Sequence, residues 1–207
     1  MQDIHTTNKA EIIGVIASEF SFSHEAYNES FFKFTVCVKR LSDMHDDIAI
    51  TASEHLLHGL NLTRGDEVHI MGQYRSYNNF TGIGNRLILT LFAKEVRRTT
   101  MADVGQNPNS IFLDGFICKP PVYRTTPFGR EITDILLATN RTYNKSDYIP
   151  CITWGRNARF ASTLDIGAHI KICGRMQSRL YQKRLSENES EEKVAYEISV
   201  AKIEVAE

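Results

Sequence analysis

The chain has 207 residues, 42% hydrophobic and 24% charged, with a formal net charge of −1. That composition belongs to a folded globular protein and excludes collagen-like, disordered and helical membrane-spanning classes, because its apolar runs fall far short of the roughly 18 residues that a membrane helix needs. The small net charge conceals a pattern: residues 1–108 carry 10 Lys+Arg against 13 Asp+Glu (−3), residues 109–184 carry 12 against 5 (+7), and residues 185–207 carry 2 against 7 (−5), so a basic block sits between acidic segments.

The N-terminal stretch MQDIHTTNKAEII lacks the basic-then-apolar order of a secretory signal, and a cytoplasmic location is expected. From Asn8, NKAEIIGVI carries the apolar, β-branched pattern of a strand. His45, Asp46 and Asp47 could be read as a metal or acid/base cluster, but they fit better as a solvated turn between two strands. SEHLLHGLNLTRG leaves room for a short helix before RGDEVHIMGQYRS from Arg64. His55 and His58 could share a face of that helix, yet no further ligand is spaced to join them, and no metal is expected. RRTTMADVGQNP, residues 97–108, is polar, ends in turn residues and is expected to be a linker.

The pattern then repeats. NSIFLDGFI from Asn109 matches NKAEIIGVI, with Gly14 and Gly115 separated by 115 − 14 = 101 positions, and Gly72 and Gly174 by 174 − 72 = 102. A tandem duplication is expected, with units at 1–96 and 109–207. In the second unit LDGFICK, REITDILLATN, DYIPCITW, HIKICGRMQSRLY and KVAYEISVAKIEV carry the β-branched and aromatic residues of strands. Val194, Tyr196, Ile198 and Val200 alternate with Ala195, Glu197 and Ser199. RNARFASTLDIG leaves room for a short helix between the third and fourth strands. Five strands with a helix in that place predict an all-β chain of two tandem OB-folds, which are small Greek-key barrels. Cys37, Cys118, Cys151 and Cys173 stand singly in strand-like contexts and are expected to be small buried thiols.

No catalytic constellation appears: G-x-S-x-G, H-E-x-x-H, a P-loop and G-x-G-x-x-G in a strand-to-helix context are all missing, so the chain is not expected to be an enzyme. The second unit does combine what single-stranded nucleic acid requires, namely cations along the phosphates and rings on which exposed bases stack. Tyr143, Tyr148, Trp154 and Tyr181 are interleaved with Arg141, Lys145, Arg156, Arg159, Arg175, Arg179 and Lys183. If Ile149, Cys151 and Thr153 face the barrel interior, alternation turns Tyr148, Pro150, Ile152 and Trp154 outward, which makes the single tryptophan a platform rather than core.

Asn109 with Gly115, ILLATNR from Ile135, DYIPCITWGRNA from Asp147 and IGAHIKICGRMQSRLY from Ile166 together resemble the bacterial single-stranded DNA-binding protein family over nearly the whole second unit. The resemblance implies base-stacking roles for Tyr143, Tyr148, Trp154 and Tyr181, and puts Arg156 where that family commonly has a basic residue. It further implies non-catalytic coating of single-stranded DNA in replication, recombination or repair, in the bacterial nucleoid. A homodimer presenting four OB-folds follows, with no cofactor, membrane or small-molecule substrate. The family's acidic, hydrophobic C-terminal tip is not found at KIEVAE, so recruitment of partners by that route is not expected.

Subtracting 101 takes Tyr143 to Ser42 and Tyr148 to Asp47, and subtracting 102 takes Trp154 to Ala52 and Tyr181 to Asn79. With its four rings lost and a net negative charge, the first unit is expected to be a scaffold or the weaker binder. It keeps Tyr74, Tyr77, Phe80, Lys39, Arg40, Arg75 and Arg86, which could support a shifted path. Two alternatives stand beside DNA coating: an OB-fold interaction subunit of a primosome-like assembly, and an RNA-binding OB protein.

Overall fold

A computed structural model describes residues 7–40, 42, 44–79, 87–100, 108–142, 145–184 and 190–206, with only the backbone described for residues 181–184, 190, 191 and 193. Strand β1 (Asn8–Ile16) buries every second residue from Asn8 to Ile16, and β7 (Asn109–Ile117) buries the equivalent set from Asn109 to Ile117. This is the period of two that a pleated strand imposes when one face meets a core. The first half continues as β2 (Ser21–Ala26), β3 (Glu29–Lys39), β4 (His45–Ser53), helix α1 (Glu54–Leu57), β5 (Glu67–Asn78) and β6 (Leu87–Arg98). The second repeats it as β8 (Val122–Thr125), β9 (Glu131–Asn140), β10 (Ser146–Trp154), α2 (Gly155–Ala161), β11 (His169–Arg184) and β12 (Ser190–Val205).

The strands form one sheet in the order β2-β3-β4-β6-β5-β1-β7-β11-β12-β10-β9-β8, and each half curls closed through an additional pairing, β3 with β1 and β9 with β7. Each half is therefore an OB-fold with its short helix between the third and fourth barrel strands. The short strands β2 and β8, which the sequence did not announce, pair only with β3 and β9. Ile12, Val36, Ile50, Ile70 and Leu91 fill the first barrel, and Leu113, Leu137, Cys151, Ile172 and Ile198 the second. All ten belong to a single continuous apolar cluster.

The residues that betrayed the duplication are those the barrel cannot change. A Cβ at Gly72 or Gly174 would overlap the carbonyl oxygen of Phe92 or Ser199 on the paired strand. Each glycine sits at the bulge where β5 meets β6 or β11 meets β12, so the sharp coil of those strands depends on a bare backbone. Asn8 and Asn109 are buried and clamp the backbone of Tyr74 and Met176. Each Nδ2 donates to the carbonyl oxygen at 2.7 Å and each Oδ1 accepts from the backbone N–H at 2.9 Å.

β1 and β7 pair antiparallel, with Ala10 opposite Ile111. Those two positions are equivalent in the repeat, so the halves are related by a local two-fold axis through that pair, as the protomers of an isologous dimer are. Around this axis lie two matching polar junctions. Asp46 accepts from the backbone N–H of Ser178 at 2.9 Å, while the Ser178 hydroxyl accepts from the N–H of Asp47 at 3.1 Å. On the other side Asp147 accepts from the N–H of Ser76 at 2.7 Å, and the Ser76 hydroxyl accepts from the N–H of Tyr148 at 2.8 Å. Asp46 is 1% exposed, which corrects its reading as part of a solvated turn. A buried carboxylate is tolerated there because two arginines and a backbone donor satisfy it.

The cysteines also differ from expectation. Cys151 is buried, but Cys37 and Cys118 are only partly so and Cys173 is exposed, because positions 37 and 173 fall on the outward phase of β3 and β11.

Candidate nucleic-acid interface

Ile149, Cys151 and Thr153 are buried, while Tyr148 is 47% and Trp154 36% exposed. β10 thus presents the face that alternation predicts, apart from Ile152, which is buried although it lies on the outward phase. Trp154 ends the strand and Gly155 opens α2 with φ of +52°, a left-handed conformation that a side chain would strain. The indole Nε1–H donates to the Ser199 hydroxyl at 3.2 Å. This bond fixes the ring by its edge.

Trp154 forms one wall of a groove of about 740 Å³. Its floor is the outer face of β11 and β12, with Gln177 and Ser199, and Arg175 and Arg179 stand along it; Tyr196, on the opposite phase of β12 and packed against the core, also lines it. Arg130, at the start of the second barrel strand, faces the same space. Sequence reading missed Arg130 and Tyr196. Arg130 stands in the sequence only as one cation of the basic block, and Tyr196 shares the phase of Val194 and the buried Ile198, which gives no sign of a groove residue. The strand end that carries Tyr196 runs beyond the barrel to the junction between halves, so its ring is only partly covered, and burial raises the pKa of its phenol.

The proposed phosphate-binding residues are placed differently from one another. The Arg175 guanidinium reaches Asp46 of the first half at 2.9 Å, and the same carboxylate takes Arg40 at 2.6 Å. Burial, then the neighbouring Arg40 charge, hold Arg175 below its ordinary pKa against the pull of Asp46, while the Asp46 hydrogen bond raises that of Arg40. Arg141 pairs with the buried Asp147 at 2.7 Å and donates to the Ser76 carbonyl oxygen at 3.1 Å. Arg179 meets Glu197 at 3.4 Å, and Arg159 approaches Glu131 at 3.7 Å with 66% of its side chain exposed. Lys145 and Arg156 are exposed and form no ion pair with any described residue. The backbone of Tyr181 and Lys183 lies in β11, opposite Lys193 and Glu191. Tyr143 falls outside the described residues.

The set is divided between two places. Trp154, Arg175 and Arg179 line the groove over the second half's sheet, whereas Arg141, Lys145 and Tyr148 do not. The Tyr148 backbone and the Arg141 side chain instead meet β5 of the first half, where the Arg141 guanidinium lies 5.4 Å from the Tyr77 ring centroid. Tyr148 and Trp154 are six residues apart on β10, about 20 Å along an extended strand.

The parallel pairing of β4 with β6 sets Thr51 beside Phe92, and that of β10 with β12 sets Ile152 beside Ser199. This register makes Ser53, and not Ala52, the counterpart of Trp154, and both cap the start of the following helix. The ring is lost at Ser53 as well. The first half has rings elsewhere on the same face, packed on one another. His24 stacks on Phe31 at 4.8 Å and 3°, Phe31 meets Phe92 at 5.6 Å, and the Arg75 guanidinium covers Phe92 at 3.8 Å. Tyr74 is core, and Phe80 and Arg86 lie outside the described residues.

Among the described residues one group could hold a metal ion. Cys37, His45 and Asp47, on β3 and β4, bring a thiol, an imidazole and a carboxylate oxygen within 4.8 Å of one another, and Lys39 pairs directly opposite His45. Burial, followed by the Asp47 charge, raises the Cys37 thiol, so a metal would have to displace its proton.

Residues 108–206 match the Single-strand binding protein family. Single-stranded DNA-binding protein 1 of Staphylococcus aureus (strain COL) is 35% identical over 83 residues, covering 37% of this chain and 50% of that protein. The same figures hold for single-stranded DNA-binding protein 2 of Staphylococcus aureus (strain MSSA476). The chain spans about half the length of these curated relatives. The fold of the whole chain is similar to the crystal structure of wild-type single-stranded DNA binding protein from Thermus aquaticus, with a TM-score of 0.75 at 15% identity, covering 97% of this chain and 93% of that one. The family match falls on the half from which the resemblance was read, and the structural likeness covers both halves.

Proposed function

We propose that the chain binds single-stranded DNA without catalysis and largely without regard to sequence, by stacking bases on exposed rings and neutralising phosphates. The observation that carries this reading is Trp154: an exposed indole, held by its edge, that lines a groove with Arg130, Arg175 and Arg179. Bases in single strands offer faces to such a ring, while a duplex keeps them stacked internally. The coating role in replication, recombination or repair, and nucleoid association, extend the same reading.

The division of labour follows from the contrast between the halves. Residues 109–207 are the principal binding unit and residues 1–96 the weaker one; the connection expected over 97–108 begins after Arg98, where β6 ends. Tyr148, Trp154, Lys145 and Arg156 are the described residues on which binding rests most, with Tyr143, Tyr181, Arg159, Arg179 and Lys183 beside them. Arg141 and Arg175 act first as struts between the halves, because their guanidinium groups are engaged by buried carboxylates. Since one chain already joins two OB-folds through β1 and β7, a homodimer would present four.

The test uses the single tryptophan. Trp154 fluorescence is followed as oligo-dT, and separately a duplex, is titrated at low and high salt. Quenching by oligo-dT that weakens with salt and is nearly absent with duplex is the expected result, since neutralised phosphates release counterions. Absence of oligo-dT binding by an independent assay would overturn the proposal.

A further inference from the structure

Part of the lining of the groove that holds Trp154 belongs to the other half of the chain. Arg40, Met44, His45 and Asp47, around the turn between β3 and β4, line the same space as Trp154 and Arg179. Met44 is 61% exposed and His45 is exposed. The equivalents of these two residues in the second half, 101 positions on, are Lys145 and Ser146. An unburied thioether adds nothing to the stability of a solvated turn. Facing a groove that carries an indole, it is a soft, polarizable surface suited to the face or edge of an aromatic ring, and an imidazole offers both a plane and a ring nitrogen.

The turn is held against the groove from within. Asp46, between His45 and Asp47, is fixed by Arg40 and Arg175 and by the backbone N–H of Ser178, and the Asp47 N–H donates to the Ser178 hydroxyl. These bonds cross from the first half to the second and set Met44 and His45 over β11. Arg40, Arg130, Arg175 and Arg179 still exceed Asp47 and the paired carboxylates Asp46 and Glu197 by one charge, Arg130 being the arginine without a described carboxylate partner, and the apolar lining comes from both halves: Met44 from the first, Trp154, Leu180, Val194 and Tyr196 from the second.

We propose that the binding groove is composite: bases of a single strand stacked at Trp154 also contact Met44 and His45 of the first half, which thereby takes a direct part in binding although its own stacking positions have lost their rings. This inference rests on the reading of the groove as a single-strand site. The probe is oligo-dT containing 5-iodouracil, irradiated in complex with the full chain, with the crosslinked peptides mapped by mass spectrometry. Affinities of Met44→Ala and His45→Ala for plain oligo-dT are measured alongside. Crosslinks to the turn at residues 44–45 as well as near Trp154, with affinity lowered roughly 2- to 10-fold in Met44→Ala, are the expected results. Both side chains are exposed, so unchanged thermal unfolding of the variants would tie the loss to contact rather than folding. Quenching of Trp154 by oligo-dT together with unaltered affinity in both variants and crosslinks confined to the second half would overturn the composite groove while leaving the binding function intact. Failure of the unaltered chain to bind oligo-dT would overturn the underlying function and the composite groove with it.

Discussion

The two halves are built alike and furnished differently. Both use a buried asparagine to clamp the fourth barrel strand, a bare glycine at the bulge and a buried aspartate facing the other half. On their outward faces they part: the second half leaves the Trp154 ring open on a groove, while in the first half His24 covers Phe31 and Arg75 covers Phe92. Rings alone do not make a stacking platform, because a ring whose face is taken by a neighbour has none left for a base. The duplicated barrel supplies geometry, and the proposed difference in binding between the halves rests on which side chains are kept uncovered.

The polar junctions are the place to break the symmetry by the largest margin. Asp46 answers two arginines and a backbone N–H, whereas Asp147 answers one arginine and a backbone N–H. Removing a buried charge strands its partners, at about 3 kcal/mol for Asp46→Ala once the partial exposure of Arg40 and Arg175 is allowed for. Asp147→Ala should cost less, and chemical denaturation should show that order. Gly174→Ala should lower stability by about 2 kcal/mol through overlap with the Ser199 carbonyl, and Gly72→Ala by a similar amount, since the two barrels share this constraint. Ser178→Ala and Ser76→Ala each remove the acceptor for one backbone N–H across the junction and should each cost about 1 kcal/mol by the same measurement.

A smaller effect separates the cations. Arg156, exposed and without an ion pair among the described residues, should reduce the slope of log affinity against log salt by about 0.7 when changed to Gln, provided it meets a phosphate. Arg141→Gln should act mainly on stability, because its guanidinium is held by Asp147.

Much of this was legible from residues. The repeat of asparagine and glycines at a spacing of 101 or 102 announced two copies, since those positions answer to backbone geometry that leaves no alternative side chain. The alternation along DYIPCITW placed Trp154 outward. What could not be read was the contact between halves. Arg141 and Arg175 looked like free cations because their partners, Asp147 and Asp46, are recognisable as buried only once β1 and β7 pair. The split of Tyr148 from Trp154 escaped notice for the same reason: a strand of nine residues is longer than one groove is wide. The exchange of Ala52 for Ser53 as the counterpart of Trp154 came from register, which a gap in the repeat obscures by one residue and so by one face.

The contrast between an open ring and covered ones can be put to a direct comparison: oligo-dT affinity of the unaltered chain, Trp154→Ala and Phe92→Ala, at one salt concentration and well below the unfolding temperature of all three. Loss of the Trp154 platform should cost about 1–3 kcal/mol, roughly 5- to 150-fold, while Phe92→Ala stays within about twofold because its ring is already occupied by Arg75. Equal losses in the two variants, or a larger loss in Phe92→Ala, would contradict the assignment of principal binding to the second half.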